Sequence, residues 1–174
     1  IYPYRRLKEE GWEVSLYWYN PNIHPYLEYQ NRLMSAGFLA QRLKVELILG
    51  NYELEDFLKG VIKYIEESQD RCSFCYSLRL KKTSEKAKEM GFDYFTTTLL
   101  GSSQQKHNLI KETGESVERD LGTHFYYEDF RKGERENREI SRKMGLYRQR
   151  YCGCLFSEKE RFLKSSKLTR SVIL

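Results

Sequence analysis

Short runs rich in aromatic and β-branched residues alternate with longer amphipathic segments along most of the chain, and this alternation constrains the fold more than any other feature. "WEVSLYWYN" (Trp12 to Asn20) stops at Asn20-Pro21, which predicts a buried strand followed by a loop. "HPYLEYQNRLMSAGFLAQRL" places Tyr26, Leu33, Ala40 and Leu43 near helical spacing, with Pro25 in the first turn. "VELIL" (Val45 to Leu49) predicts a second strand, and Leu54, Phe57, Leu58, Val61, Ile62 and Ile65 form the best amphipathic stripe in the chain. A helix from about Phe74 to Met90, a strand at "FDYFTTTLL", a helix from about Gln104 to Leu121, a strand at "THFYYEDF" and a helix at "ERENREISRKMG" follow. Ser157 and Glu160 have capping-box spacing for a last short helix. Strands alternating with helices of this length predict an α/β domain with a mostly parallel sheet covered on both faces. Ligands of such sheets gather at the carboxyl ends of the strands, here the loops "NPNIHPY", "GSSQQKH" and "DFRKGER".

At 174 residues the chain suits one domain, 1–174, able to bury a core without disulfides. Its 40% hydrophobic and 32% charged residues exclude a disordered polymer, and no apolar run approaches the roughly 18 residues of a bilayer span, so no membrane partner is expected. "YPYRRLKEEG" already reads as a helix stopped by Gly11, so the chain is expected to begin inside its domain, after a first strand and loop.

Four cysteines are too few for a disulfide scaffold, and close pairs without a secretory signal suit metal or redox chemistry in a reducing, cytoplasmic setting. Cys72 and Cys75 form a C-x-x-C, whose turn lets two thiolates converge on one metal beside a helix N-terminus. Zinc, an iron–sulfur cluster and a thiol redox pair all fit that spacing. Cys152 and Cys154 flank a single glycine; a bond between them would close a small, strained ring, easily reduced and suited to passing electrons. Alternatively, all four thiols close one structural zinc site. His24, between two prolines after the first strand, is a further site candidate, with Tyr19, Asn20 and Asn22 as hydrogen-bonding neighbours.

The net charge is +5, and the stretch Arg131 to Arg150, with eight basic and three acidic residues, carries that same surplus by itself. Glu134–Arg138 and Glu139–Lys143 have ion-pair spacing, which suits a solvated helix face. Arg131, Lys132, Arg148 and Arg150, interleaved with Tyr147 and Tyr151, suit phosphate contact and base stacking in RNA.

Four stretches, "SLYWYNPNIHPYLEYQNR", "RCSFCYSLRLKKTSEKAKEMGFDYFTTTLL", "DFRKG" and "GLYRQRYCGCLFS", resemble in order and spacing the epoxyqueuosine reductase QueH family, from about Trp12 to Ser157. The resemblance implies a three-layer α/β sandwich of the HUP, adenine-nucleotide α-hydrolase type. It implies reduction of the epoxide of epoxyqueuosine, in tRNA, to the alkene of queuosine, with an electron donor of unspecified identity. By position, Cys72 and Cys75 match ligands of a [4Fe–4S] cluster, and Cys152 and Cys154 match a second, redox-active pair. The family's adjacent Cys-Cys ligands have no counterpart here, and are expected before Ile1. Epoxide opening needs two electrons, two protons and help for the departing oxygen, from an additional Lewis-acidic metal ion or from an acid such as a tyrosine, His24 or Asp129. An ATP-using RNA thiolase of the same fold and a zinc-stapled RNA-binding module without catalysis are the competing readings. The first needs a glycine-rich phosphate loop, which is not visible.

Overall fold

The computed structural model describes residues 1–66 and 68–163; residue 67 and residues 164–174 of the expected domain lie outside the described residues. Helices dominate. Helix α1 (Tyr2–Glu9) leads into β1 (Leu16–Trp18), α2 (Tyr26–Leu43), β2 (Leu47–Leu49) and α3 (Leu54–Val61), which tightens into a 3-10 turn at Ile62–Tyr64. Then come α4 (Ser68–Glu89), β3 (Tyr94–Phe95), a 3-10 turn at Thr98–Gly101, α5 (His107–Leu121), β4 (His124–Phe125), a 3-10 turn at Phe130–Gly133, α6 (Glu134–Lys143) and α7 (Leu155–Leu163).

The α/β class and the parallel direction of pairing are as expected, but among the described residues the four strands form two separate two-stranded sheets rather than one. β1 pairs with β2, Leu16 facing Leu47, and β3 pairs with β4, Tyr94 facing His124, both in parallel. The strands are shorter than the sequence suggests, three residues each in β1 and β2 and two each in β3 and β4. The Thr97 hydroxyl accepts from Leu99 N–H (3.3 Å) and the Asp129 carboxylate from Arg131 N–H (3.1 Å), so each begins a 3-10 turn where more strand is expected. Trp12 lies outside β1 and packs edge-on against Tyr94 and Tyr126.

The core sits where α4 packs on α5 over β3 and β4. Leu7, Tyr76, Leu80, Phe95, Leu100, Ile110, Val117, Phe125 and Phe130 form one buried cluster. Each fully buried aliphatic side chain there contributes about 1.5–3 kcal/mol. Gly114 lets the Phe125 ring of β4 lie directly on α5, since a Cβ at that position would fall 2.2 Å from the ring. The amphipathic stripe of α3 is only half used: Phe57 and Val61 are buried, whereas Leu58, Ile62 and Ile65 are exposed. Leu58 is exposed within α3 itself, and after Val61 the backbone tightens to three residues per turn, so Ile62 and Ile65 fall out of the 3.6-residue stripe.

Helix α4 starts at Ser68 rather than near Phe74, which carries Cys72 and Cys75 past the first turn. Glu134 and Glu139 do not take the expected partners. Glu134 accepts from the Ser103 hydroxyl, and Glu139 pairs with Arg135. No helix among the described residues is long and apolar enough to cross a membrane.

Candidate active site

Cys72, Cys75, Tyr76 and Arg79 follow one another at i, i+3, i+4 and i+7 along one face of α4. Both strand-end loops dock on that face. Arg79 donates to Asn20 Oδ1 (2.8 Å) in the loop after β1, and Tyr76 donates to Gln105 Oε1 (2.8 Å) in the loop after β3. The helix dipole falls off within the first turn and does not govern these thiols. Burial raises the Cys72 pKa, opposed by Lys106, and pushes Cys75 up to about 12, opposed by Arg79. The expected dipole-stabilised thiolates are therefore half-buried thiols, each with its pKa raised.

The second pair sits at the start of α7. The Sγ atoms of Cys152 and Cys154 are 3.6 Å apart, and both residues are free thiols. Cys154 occupies the N-cap: its sulfur accepts from Ser157 N–H (3.4 Å) and its carbonyl from Glu158 N–H (3.1 Å). Ser157 is thus the third residue of the helix, not its cap, and its hydroxyl reaches back to accept from Cys152 N–H (3.1 Å). The expected Ser157–Glu160 box is replaced by this Cys154–Ser157 arrangement. The two sulfurs titrate together as a pair, with the negative charge favoured on Cys152. The hydrogen bond from Cys154 is the main cause that lowers Cys152 to about 5, and the same bond, with burial, raises Cys154. The charge on Cys152 reaches Cys72 and Cys75, and Arg79 stabilises it, so all four sulfurs share one electrostatic neighbourhood.

A buried ion pair holds the C-G-C segment in place. Arg32 of α2, 7% exposed, donates to the carbonyls of Cys152 (3.0 Å) and Tyr151 (3.2 Å) and grips Glu28 through Nε (2.7 Å). The hydroxyl of Tyr147 closes on the other oxygen of Glu28. His24 N–H donates to Gly153 C=O (2.8 Å), while Tyr151 Oη donates to His24 C=O (2.9 Å). Gly153 has φ +122°, and a Cβ there would lie 2.8 Å from Ile23 and 3.2 Å from Arg32 Nη1. Only glycine meets both conditions.

The His24 ring is buried against Phe57, burial lowers its pKa, and neither ring nitrogen has a protein partner. Asn22 Oδ1 and Trp18 Nε1 are similarly buried and unpartnered, and Tyr19 is committed to Glu53 (2.6 Å). Asp129 is not in a state to donate a proton. Arg131 binds both of its carboxylate oxygens and holds its pKa down to about 2. Arg131 is correspondingly occupied, Lys132 is exposed beside it, and Arg148 and Arg150 are exposed on the segment leading to Cys152.

As arranged, no three His, Cys, Asp or Glu side chains among the described residues stand close enough to hold a metal ion. Cys72 and Cys75 fit as two thiolate donors on one helix face, half of the four that a [4Fe–4S] cluster takes. Cys152 and Cys154 stand at a sulfur spacing that two thiolates on one tetrahedral metal also take, with bonds of about 2.3 Å, but among the described residues Cys72 and Cys75 do not join them in one group as arranged.

The family model described as "Epoxyqueuosine reductase QueH" matches residues 1–160, which contain every residue of this site. The chain belongs to the epoxyqueuosine reductase QueH family. It is similar to the epoxyqueuosine reductase QueH of Dehalococcoides mccartyi, at 38% identity over 94% of this chain and 88% of the relative. It is also similar to that of Thermotoga maritima, at 33% over 91% of this chain and 86% of the relative. A third, from Helicobacter pylori, is 37% identical over 91% of this chain but 46% of its own length. Membership of a reductase family displaces both the non-catalytic zinc module and the RNA thiolase.

Proposed function

We propose that this QueH-family chain reduces the epoxide of epoxyqueuosine in tRNA to the alkene of queuosine, with Cys152 and Cys154 as its two-electron carrier. The observation that supports this most is the sulfur pair itself: 3.6 Å apart, titrating as a pair, with the thiolate on Cys152 beside the α4 thiols. The step balances. One epoxide, one thiolate, one thiol and one proton from solvent give one alkene, one water and one disulfide; the carbon–oxygen bonds break, the sulfur–sulfur bond forms, and the Cys154 proton and the solvent proton leave with the oxygen. An external electron donor then returns the pair to the dithiol.

Cys72 and Cys75 are proposed to hold two corners of a [4Fe–4S] cluster, which when bound supplies electrons one at a time. His24, kept neutral by burial, is proposed to offer a ring N–H to the departing oxygen, as a neutral imidazole can. The parallel strand pairs support the three-layer HUP-like sandwich as the architecture, and the reducing chemistry supports a cytoplasmic setting.

The test is anaerobic turnover of epoxyqueuosine tRNA with metal analysis on the same samples. Cys154→Ser should abolish turnover while iron content stays at the wild-type value. Loss of iron or a changed cluster spectrum would make the pair metal ligands instead. Full turnover by that variant would end the carrier role.

A further inference from the structure

Two shallow hollows meet at Phe38, on the outward side of α2. The first, about 250 Å³, lies between Asn31, Met34 and Phe38 of α2 and the segment Gly145–Tyr147. The second, about 220 Å³, continues from Phe38 to Arg42 and Lys143. Together they form a groove whose floor is apolar: Met34 is 65% exposed, Phe38 40% and Tyr147 45%. Each hollow is smaller than the roughly 300–1,000 Å³ of a site for a drug-sized ligand and suits one planar ring.

The charges around the groove select its occupant. Within the basic stretch, Asp129 takes Arg131 and Glu139 takes Arg135. Arg42, Lys143 and Arg148 have no acidic partner among the described residues, and all three lie on or next to the groove. Arg42 already stands over the Phe38 ring, 5.2 Å from its centre. An exposed aromatic ring, a stacked guanidinium and unpaired cations are what a base with its flanking phosphates requires. An apolar peptide or a second copy of this basic face would leave those cations unmatched. The groove also adjoins the active site. Tyr147 forms its wall and binds Glu28, and Cys152 is five Cα steps along the chain from Tyr147, at most about 18 Å.

We propose that this groove holds a nucleobase of the substrate tRNA that flanks the reacting nucleotide, stacked on Phe38, with backbone phosphates on Arg42 and Lys143. The inference rests on the reading of tRNA as substrate. Anisotropy titrations of labelled epoxyqueuosine tRNA over a series of salt concentrations test it, because stacking and phosphate neutralisation respond differently to salt. A stacked base contributes about 1–3 kcal/mol, so Phe38→Ala should weaken binding by about 5- to 150-fold without changing the salt slope. Phe38→Tyr should bind as the wild type does. Arg42→Gln with Lys143→Gln should flatten the slope by about 0.7–0.9 for each phosphate no longer neutralised. Wild-type affinity in Phe38→Ala, with wild-type binding intact, would overturn the groove assignment alone. A wild-type dimer that Phe38→Ala converts to monomer at unchanged tRNA affinity would overturn it in favour of a second copy. If the wild type binds no tRNA, the substrate reading fails, and the groove assignment with it.

Discussion

Replacing Arg32 by Met should be among the most damaging single changes in this protein, although Arg32 touches no sulfur. Its side chain is 7% exposed and that of Glu28 10%, so both charges are out of water and depend on each other. Removing the guanidinium leaves a buried carboxylate facing only the Tyr147 hydroxyl and frees the carbonyls of Tyr151 and Cys152. Breaking one half of a buried pair costs about 3–5 kcal/mol. For a chain of this size each kcal/mol lowers the unfolding midpoint by about 2–4 °C, so the midpoint should fall by about 6–20 °C in thermal unfolding followed by circular dichroism. Arg32→Lys should recover less than half of the loss, because an ammonium cannot fork between a carboxylate and two carbonyls. Glu28→Gln combined with Arg32→Met should be more stable than Arg32→Met alone, since it removes the stranded charge. A midpoint within about 2 °C of wild type for Arg32→Met, or simple additivity in the double variant, would refute the buried-pair argument.

Other consequences follow from the same geometry. Iodoacetamide should alkylate Cys152 at a rate that holds nearly constant from pH 8 down to about 6 and falls near 5, while Cys75 stays unreactive throughout; mass spectrometry of the digested protein reads both. Because the folded pair keeps one proton where an unfolded pair takes up two below about 8.5 and none well above it, the pair's contribution to stability should rise from pH 5 to about 8.5 and then decline, and Cys154→Ala should flatten that dependence in denaturant titrations. Gly153→Ala should cost about 1–3 kcal/mol through its left-handed backbone and its clash with Ile23. After anaerobic reconstitution, Cys72→Ser should lose iron and sulfide with the brown colour, and colourless wild-type protein carrying stoichiometric zinc would contradict the cluster proposal.

The parallel α/β class and both sulfur pairs were legible from residue pattern alone, because they depend on spacing within short segments. What stayed hidden depends on contacts across the chain. Glu28 and Arg32 have the i,i+4 spacing of an ordinary surface pair, and only the segment carrying Tyr151 and Cys152, about 120 residues later, buries them. The start of α4 is masked by a polar run, "EESQD", that shows no apolar period. Cysteine is seldom considered as a helix cap, so Ser157 drew the assignment that belongs to Cys154. The Thr96–Thr98 run favours a strand by propensity, yet the Thr97 hydroxyl captures a backbone N–H and turns the chain. One signal was available: "NPNIHPYLEYQNR" contains both His24 and Arg32, the two residues whose polar groups fasten the C-G-C segment.

That fastening separates position from reactivity. The segment is tied through its main chain, by the carbonyls of Tyr151, Cys152 and Gly153 and by the N–H of Cys152. Hydrogen bonds to the sulfurs come from each other and from the first turn of α7. In the proposed carrier role the dithiol closes to a disulfide and reopens, which needs side chains free to rotate on a backbone that does not move. Four main-chain tethers, two from a buried guanidinium that cannot lose its charge, provide the fixed backbone. The thiolate on Cys152 can then approach Cys154 or a substrate carbon without unmaking any of them. The bond from Ser157 N–H to the Cys154 sulfur is the tether that would have to yield in that role, and further tethers to a charged sulfur would each add about 1.5–3 kcal/mol to the step.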